Sequence, residues 1–147
     1  FRTGHSIGEF LERVKSDYLE FEVNLGFVSR TEVFDLLNIA SLLIQPGKDD
    51  LFNRFRLPSK IPEFLMTGRP VLIPNCNLAN LLKNNHNAII MKDGDSKEIV
   101  ELILDYLKRP EYFEKIGQNG KKFALLNFNG EYIARKLVSF YKEILKP

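Results

Sequence analysis

Three short segments consist almost entirely of apolar residues, and they constrain the fold more than any other feature of the sequence. The segments are SLLIQP (41–46), PVLIP (70–74) and AIIMK (88–92). Unbroken apolar strands of about five residues are typical of a parallel sheet whose two faces are both covered by helices. Segments with helical spacing stand before, between and after them. This alternation of strand and helix predicts a doubly wound α/β fold.

Capping signals predict where helices begin. A serine or an aspartate is followed three residues later by a glutamate at Ser6, Ser29 and Asp95, and this spacing is typical of helix N-termini. The first of these helices has apolar residues at helical spacing, namely Ile7, Phe10, Leu11, Val14 and Tyr18. The second is expected to be buried through Val33, Leu36, Leu37 and Ala40. Further helices are predicted from Pro110 and from Glu131 to Leu145, the last with these side chains inward: Ile133, Leu137, Phe140, Tyr141 and Ile144.

Composition excludes several classes of protein. The 147 residues, 44% of them hydrophobic, suffice for one globular domain. The net charge is +2 and both signs are interspersed, so no clustered basic surface indicates binding to nucleic acid. The single Cys76 excludes an internal disulfide and a multi-cysteine zinc site, and it fits a reducing, cytoplasmic compartment. No apolar run approaches the ~20 residues of a transmembrane helix.

Charged residues gather where the segment RFRLPSKIPEFLMTGRPVLI (54–73) approaches the predicted core. Ligands of α/β sheets bind beyond the carboxyl ends of the strands, and loops 27–30, 45–59 and 75–80 are expected there. Loop 45–59 is the longest, with about fifteen residues and no helical or strand periodicity, a length that is usually functional or disordered. It leads into a helix with Ser59 as the expected N-cap, Pro62 in the first turn and Gly68 after the last turn.

An anion site is predicted at the start of this helix. Arg56, Ser59 and Lys60 cluster where first-turn N–H groups and the helix dipole favour negative charge. Glu63 lies one turn further on and can accept a hydrogen bond from a sugar hydroxyl. The arrangement suits a nucleotide-sugar, with its diphosphate at the helix start and a ribose or sugar at the carboxylate.

Plainer interpretations stay open for the same residues. Lys60 and Glu63 are three residues apart, as in an ordinary surface pair worth ~0.2–0.5 kcal/mol. Arg54 and Arg56 would then only solvate the loop, and Phe27 would only pack at a strand end. The remaining polar candidates lack the partners that catalysis or metal binding requires, with Asp49 and Asp50 assigned to a turn and no function assigned to His5, His86 or Cys76.

Three blocks in order resemble the C-terminal half of group 1 (family 4) glycosyltransferases, which have the two-domain GT-B architecture. The blocks are LGFVSRTEVFDLLNIASLLIQP, RLPSKIPEFLMTGRPVLIP and NHNAIIMKDGDSKEIVELILDYL. The resemblance covers nearly all of the chain from Asn24 onward. It implies that Glu63 holds the ribose hydroxyls, that Lys60 and Ser59 lie near the diphosphate, and that the loop Gly26, Phe27 and Val28 lines the base.

The resemblance also implies an activity. The chain would be the donor-binding part of a transferase that moves a sugar from a nucleotide diphosphate to an unknown acceptor, with retention of configuration and without a metal or other cofactor. Arg56 and Lys60 would stabilise the departing diphosphate. The acceptor would bind an N-terminal domain, and the full-length enzyme would be cytoplasmic or peripherally associated with a membrane. A nucleotide-sugar epimerase of the same fold and a non-enzymatic α/β regulatory module are the alternatives.

Two departures from the family pattern affect these expectations. Many relatives carry two glutamates separated by seven residues. Glu63 matches the later one, but Phe55 stands where the earlier one would be, so a carboxylate contact with the donor sugar is in question. The chain opens on Phe1 and the match begins after the family's first strands and the basic pair that holds the phosphates. Residues 1–147 are therefore expected to form a partial C-terminal domain that binds the donor poorly and is inactive by itself. The segment EFEVNLGFV (20–28), rich in β-formers, would then be a strand that pairs with 42–45 or stands apart, in a sheet of at most four strands.

Overall fold

The computed structural model describes residues 25–145, which divide into two compact units at the Ile39–Ala40 boundary. The helix predicted after Ser6 lies outside the described residues. So does most of the strand predicted over 20–28, and its described residues, 25–28, do not form a strand. That part of the prediction is wrong, since Gly26 has a left-handed φ of 61°, which departs from extended backbone.

The described part of the first unit contains one helix, α1 (Arg30–Ile39). It begins with the predicted capping box, because Ser29 N donates to Glu32 Oε2 at 2.6 Å and Glu32 N donates to Ser29 Oγ at 3.3 Å. Hydrogen bonds from the Ser29 hydroxyl and from the Ser29 backbone N–H lower the pKa of the Glu32 carboxyl. No residue of α1 is fully buried, so the predicted burial is only partial. Apolar spacing indicates the side on which a helix packs and not the depth of that packing.

The second unit contains three strands and five α-helices within the described residues. In chain order these are β1 (Leu43–Ile44), α2 (Leu51–Phe55), α3 (Lys60–Thr67), β2 (Val71–Pro74), β3 (Ile89–Met91), α4 (Ser96–Lys108), α5 (Pro110–Asn127) and α6 (Gly130–Ile144), with a 3₁₀ helix (Asn77–Leu81) between β2 and β3.

The three strands form a parallel sheet in the order β1-β2-β3. In register, Leu43 lies opposite Val71, and Leu72 lies opposite Ile89. Leu72 and Ile73 are both 0% exposed, and because successive side chains of a strand point to opposite faces, both faces of the sheet are covered. The structure thus confirms the predicted parallel α/β fold class and the three apolar strands. The limit of four strands stays a prediction.

Helix α5 packs closely on the sheet and on α3. Its side chains Phe113 and Ile116 join Leu72, Ile89 and Met91 in one buried cluster. At Gly117 a Cβ atom would lie 2.3 Å from the carbonyl oxygen of Gly68, so only glycine permits this approach of α5 to the α3–β2 turn. Gly68 itself ends α3 with a left-handed φ of 79°, as its predicted place after the last turn requires.

Two predictions about helices are corrected. Loop 45–59 was expected to lack periodic structure, but it contains α2, which Asp50 caps by accepting a hydrogen bond from Asn53 N at 2.8 Å. Five residues are fewer than two turns, too few for apolar periodicity to show. The predicted inward side chains of α6 are instead 41–56% exposed. An amphipathic pattern predicts that a helix has an apolar side but does not identify what packs on it.

None of the helices in residues 25–145 is long and apolar enough to cross a membrane.

Candidate functional site

The loops that follow the three strands meet at one edge of the sheet, because parallel strands end on the same side. The loops after β1 and β2 line a shallow depression there, and its volume of about 260 Å³ includes open solvent. Gln45 follows β1, and Asn77 follows β2. Asn53 and Arg56 come from α2 and the residue after it, and the rest of the wall is Pro58, Ile61, Pro74 and Cys76. The predicted loops 45–59 and 75–80 therefore do come together.

The two arginines of this region, Arg54 and Arg56, differ in whether they form an ion pair. Arg54 forms a bidentate pair with Asp49, with Nε to Oδ1 at 2.7 Å and Nη2 to Oδ2 at 3.0 Å. The hydrogen bond from Arg54 lowers the pKa of Asp49. Asp50 caps α2, so both aspartates have structural roles at the loop, in agreement with their assignment to a turn. Arg56 has no ion-pair partner among residues 25–145, and its guanidinium lies 5.6 Å from the centre of the Phe52 ring.

The start of α3 differs in detail from the prediction. Ser59 occupies the N-cap position, but its φ of −57° and ψ of −21° are helical and its side chain makes no capping hydrogen bond. Ile61 N donates to Pro58 O at 3.1 Å, and Pro62 has no N–H. Few N–H groups of the first turn are therefore free for an anion. The positive charge in the wall of the depression is the side chain of Arg56.

Lys60 and Glu63 do not form the ordinary surface pair. Within the described part of the chain, neither side chain takes part in an ion pair or a hydrogen bond. Lys60 is exposed at the first position of α3, and Glu63 is half-buried one turn later. Both belong to the helix whose Ile61 lines the depression.

The predicted base-binding residues belong to the other unit. Gly26 adopts a left-handed φ of 61°, and Phe27 is 73% exposed. Gly26, Phe27 and Val28 all precede Ile39, where the first unit ends. Their role in binding a base stays a prediction.

Glu98 holds the loop after β3, and Gly94 of that loop lies against the loop after β1. The Glu98 carboxylate accepts hydrogen bonds from Lys92 N at 2.6 Å, Asp93 N at 2.9 Å and Gly94 N at 2.8 Å. Gly94 has a φ of 65°, and a Cβ there would lie 2.1 Å from the carbonyl oxygen of Gly47. Burial raises the pKa of Glu98, but the three N–H donors outweigh burial and the pKa is lowered. The sequence predicted only that Glu98 belongs to a helix start, which Asp95 does cap.

Glu98→Gln is expected to lower the free energy of unfolding by about 1–2 kcal/mol at pH 7, because the charged acceptor of three N–H groups is lost. The folded pKa of Glu98 is lowered, so its contribution is fully present above the ordinary glutamate pKa and is lost as the pH falls through the folded pKa. The difference between wild type and variant should therefore shrink in acid. Urea unfolding of both proteins at pH 7 and below pH 4 measures this difference in the free energy of unfolding.

Glu101→Gln is the matched control for this experiment, since Glu101 is an exposed carboxylate of the same helix. It has no hydrogen-bond partner within residues 25–145. An equal loss of stability in both variants, or a difference that persists in acid, would contradict the role assigned to Glu98.

The remaining reactive side chains within residues 25–145 do not form a catalytic group. Burial, together with the charges of Asp49 and Asp50, raises the pKa of the Cys76 thiol, which disfavours a nucleophilic thiolate. His86 is exposed, and its backbone oxygen accepts a hydrogen bond from Asn119 Nδ2. His5 lies outside the described residues. In the described part of the chain, no group of histidine, cysteine, aspartate or glutamate residues could hold a metal ion.

The sequence patterns did not identify three amide residues that line the depression. Gln45, Asn53 and Asn77 line it beside Arg56. Only Gln45 had a signal, because it is the one amide in the apolar segment SLLIQP. Asn53 and Asn77 depend on α2 and the 3₁₀ helix, neither of which was predicted.

No protein-family model matches the chain, and no curated protein matches it. Solved structures do resemble it. HepE from Anabaena, in complex with UDP-glucose, aligns with a TM-score of 0.72 and 17% identity over 93% of this chain and 40% of that one. Sucrose-phosphate synthase from Thermosynechococcus elongatus aligns with a TM-score of 0.74 and 16% identity over 95% of this chain and 35% of the other.

A third structure is a separated domain. It is the C-terminal domain of LpcC, a group 1 glycosyl transferase from Francisella tularensis, with a TM-score of 0.68 and 12% identity over 84% of this chain and 64% of that one. These likenesses confirm the GT-B fold that the sequence motifs implied, with this chain similar to the C-terminal part. The chain spans 40% and 35% of the lengths of HepE and sucrose-phosphate synthase.

Proposed function

We propose that this chain is the donor-binding part of a glycosyltransferase that moves a sugar from a nucleotide diphosphate to an acceptor. The observation that carries the proposal is the depression at the carboxyl edge of the parallel sheet, where Arg56, free of any ion pair within residues 25–145, lies next to the start of α3. The fold supports the proposal, since HepE with the same fold was solved with UDP-glucose.

Each residue of the site has a role in this proposal. Arg56 and Lys60 bind the diphosphate and stabilise the negative charge that develops on it as the sugar departs. Glu63 accepts hydrogen bonds from the ribose hydroxyls, as a half-buried carboxylate without a protein partner in the described structure can do. Ser59 lies beside the diphosphate with a hydroxyl that α3 does not use as a cap. Gly26, Phe27 and Val28 line the base.

Further features of the activity belong to the same proposal. The reaction retains the configuration of the sugar and proceeds without a metal, and the acceptor binds a separate N-terminal domain. The full-length enzyme works in the cytoplasm or at the inner face of a membrane. Support for these features comes from the motif resemblance, in which the blocks around Lys60 and Glu63 stand in the family's order.

Arg56→Gln and Lys60→Gln are each expected to weaken binding of UDP or GDP roughly tenfold while leaving uridine or guanosine binding nearly unchanged, because the lost charge faces phosphate. Ligand-observed NMR titrations at millimolar ligand measure both affinities on the same chain. Lys115→Gln, which removes an exposed lysine of α5, is the control. Equal losses for nucleotide and nucleoside would mean that Arg56 and Lys60 only shape the loop.

A further inference from the structure

Gln45 holds a buried hydrogen-bond acceptor that the described protein does not satisfy. The residue is 8% exposed at the end of β1, and its backbone N–H donates to Leu72 O at 2.9 Å. Its side-chain Nε2 donates to Pro46 O at 3.1 Å. Within residues 25–145 no group donates to its Oε1. Buried polar atoms without a partner are rare in folded proteins, and each calls for an explanation such as a bound ligand or water.

Asn53 and Asn77 line the same depression and are only partly buried, and their amide oxygens also have no donor among the described residues. Asn53 Nδ2 donates to Asp50 Oδ1 at 3.0 Å, and Asn77 Nδ2 donates to Arg54 O at 3.0 Å. The partners of all three amides are backbone carbonyls or a carboxylate, which only accept, so the NH₂ group of each amide must face its partner and the orientation is fixed by chemistry. Each amide oxygen is left without a donor from the described residues.

The depression therefore offers acceptors for hydrogen-bond donors. Hydroxyl groups and metal ions both bind amide oxygens, but the guanidinium of Arg56 lines the same depression and repels a cation. The same guanidinium attracts an anion. A group with several hydroxyls next to a negative charge satisfies both features, and a sugar joined to phosphate is such a group.

We infer that Gln45, Asn53 and Asn77 bind the hydroxyls of the transferred sugar and thereby determine which nucleotide-sugar the protein selects. The inference rests on the proposed function, because it needs the diphosphate at Arg56. Gln45 is the decisive member, since it is the most buried residue of the three. A sugar that lacks the hydroxyl facing Gln45 leaves that acceptor unpaired, which is the strongest basis for rejecting a close analogue.

Gln45→Met tests the inference, because methionine has a similar length and removes the amide with little change in volume. The affinities of UDP-glucose, GDP-mannose, UDP and GDP are measured by ligand-observed NMR on the 147-residue chain. We expect the sugar-bearing ligand that binds wild type best to lose about threefold to tenfold in affinity, and its sugar-free nucleotide to lose nothing. Gln118→Met, at an exposed glutamine of α5, should change neither affinity.

Thermal unfolding of the same variant separates a binding role from a structural one. Methionine removes the unsatisfied acceptor but also the hydrogen bond from Gln45 Nε2 to Pro46 O, so the two effects oppose each other and the melting temperature should stay close to that of wild type. A variant that fails to fold, or that loses affinity for nucleotide and nucleotide-sugar equally, overturns the inference and leaves the proposed function standing. If wild type binds none of the four ligands at millimolar concentration, the proposed function fails and the inference fails with it.

Discussion

Gly117→Ala is expected to lower the free energy of unfolding by about 3 kcal/mol or more, at the upper end of the range for overpacking a protein core. A Cβ at this position would lie 2.3 Å from Gly68 O, 2.6 Å from the carbonyl carbon of Arg69 and 2.8 Å from Pro70 N. All three atoms belong to the backbone, so no side chain can rotate away. Helix α5 would have to move off the turn that joins α3 to β2, and urea unfolding followed by circular dichroism measures the cost.

Gly130→Ala is the control for helix propensity. Gly130 is also helical, at the first position of α6, and nothing lies within 4 Å of an added Cβ. Alanine there should leave stability unchanged or raise it by up to about 1 kcal/mol. If both variants unfold at the same urea concentration, the close approach of α5 to the α3–β2 turn does not matter for stability.

Glu63→Ala is expected to weaken nucleotide binding by roughly tenfold to more than a hundredfold, the ~1.5–3 kcal/mol of a hydrogen bond to a charged group. Nucleoside binding should fall by the same factor, because the contact is to ribose and not to phosphate. This distinguishes Glu63 from Arg56 and Lys60. The side chain has no ion pair or hydrogen bond in the described structure, so the melting temperature should stay close to that of wild type.

Glu114→Ala, at an exposed carboxylate of α5, is the comparison for this measurement. An affinity of Glu63→Ala for UDP and GDP within error of wild type would remove Glu63 from the site. A large drop in its melting temperature would show that Glu63 is a structural residue of α3.

The parts of the fold that the sequence predicted are those set by a strong local signal. Unbroken apolar runs predicted β1, β2 and β3, since a strand covered on both faces has no exposed position for a polar residue. Pro62 and Gly68 bounded α3, because proline has no N–H to lose in a first turn and glycine adopts the left-handed φ after the last one. The loops that contain Arg56 and Asn77 were expected at one edge of the sheet, and they do meet there.

The parts that could not be predicted depend on contacts distant in sequence or on very short elements. No pattern distinguishes Arg54 from Arg56, yet one is paired with Asp49 and the other lines the depression. Glu98 reads as part of an N-terminal helix cap, whereas its carboxylate accepts three N–H groups of the preceding loop. The apolar positions of α6 predicted a buried side, but the spacing of a helix contains no information on where its packing partner lies.

Cys76 gives this chain a built-in chemical reporter. It is the only cysteine among the 147 residues, so a thiol-specific reagent has one target and its labelling can be read by mass alone. The thiol is buried in the wall of the depression, and its pKa is raised by burial and by Asp49 and Asp50. Labelling then requires local opening of this edge of the sheet. The labelling rate thus follows the motion of the loops around the depression without any engineered probe.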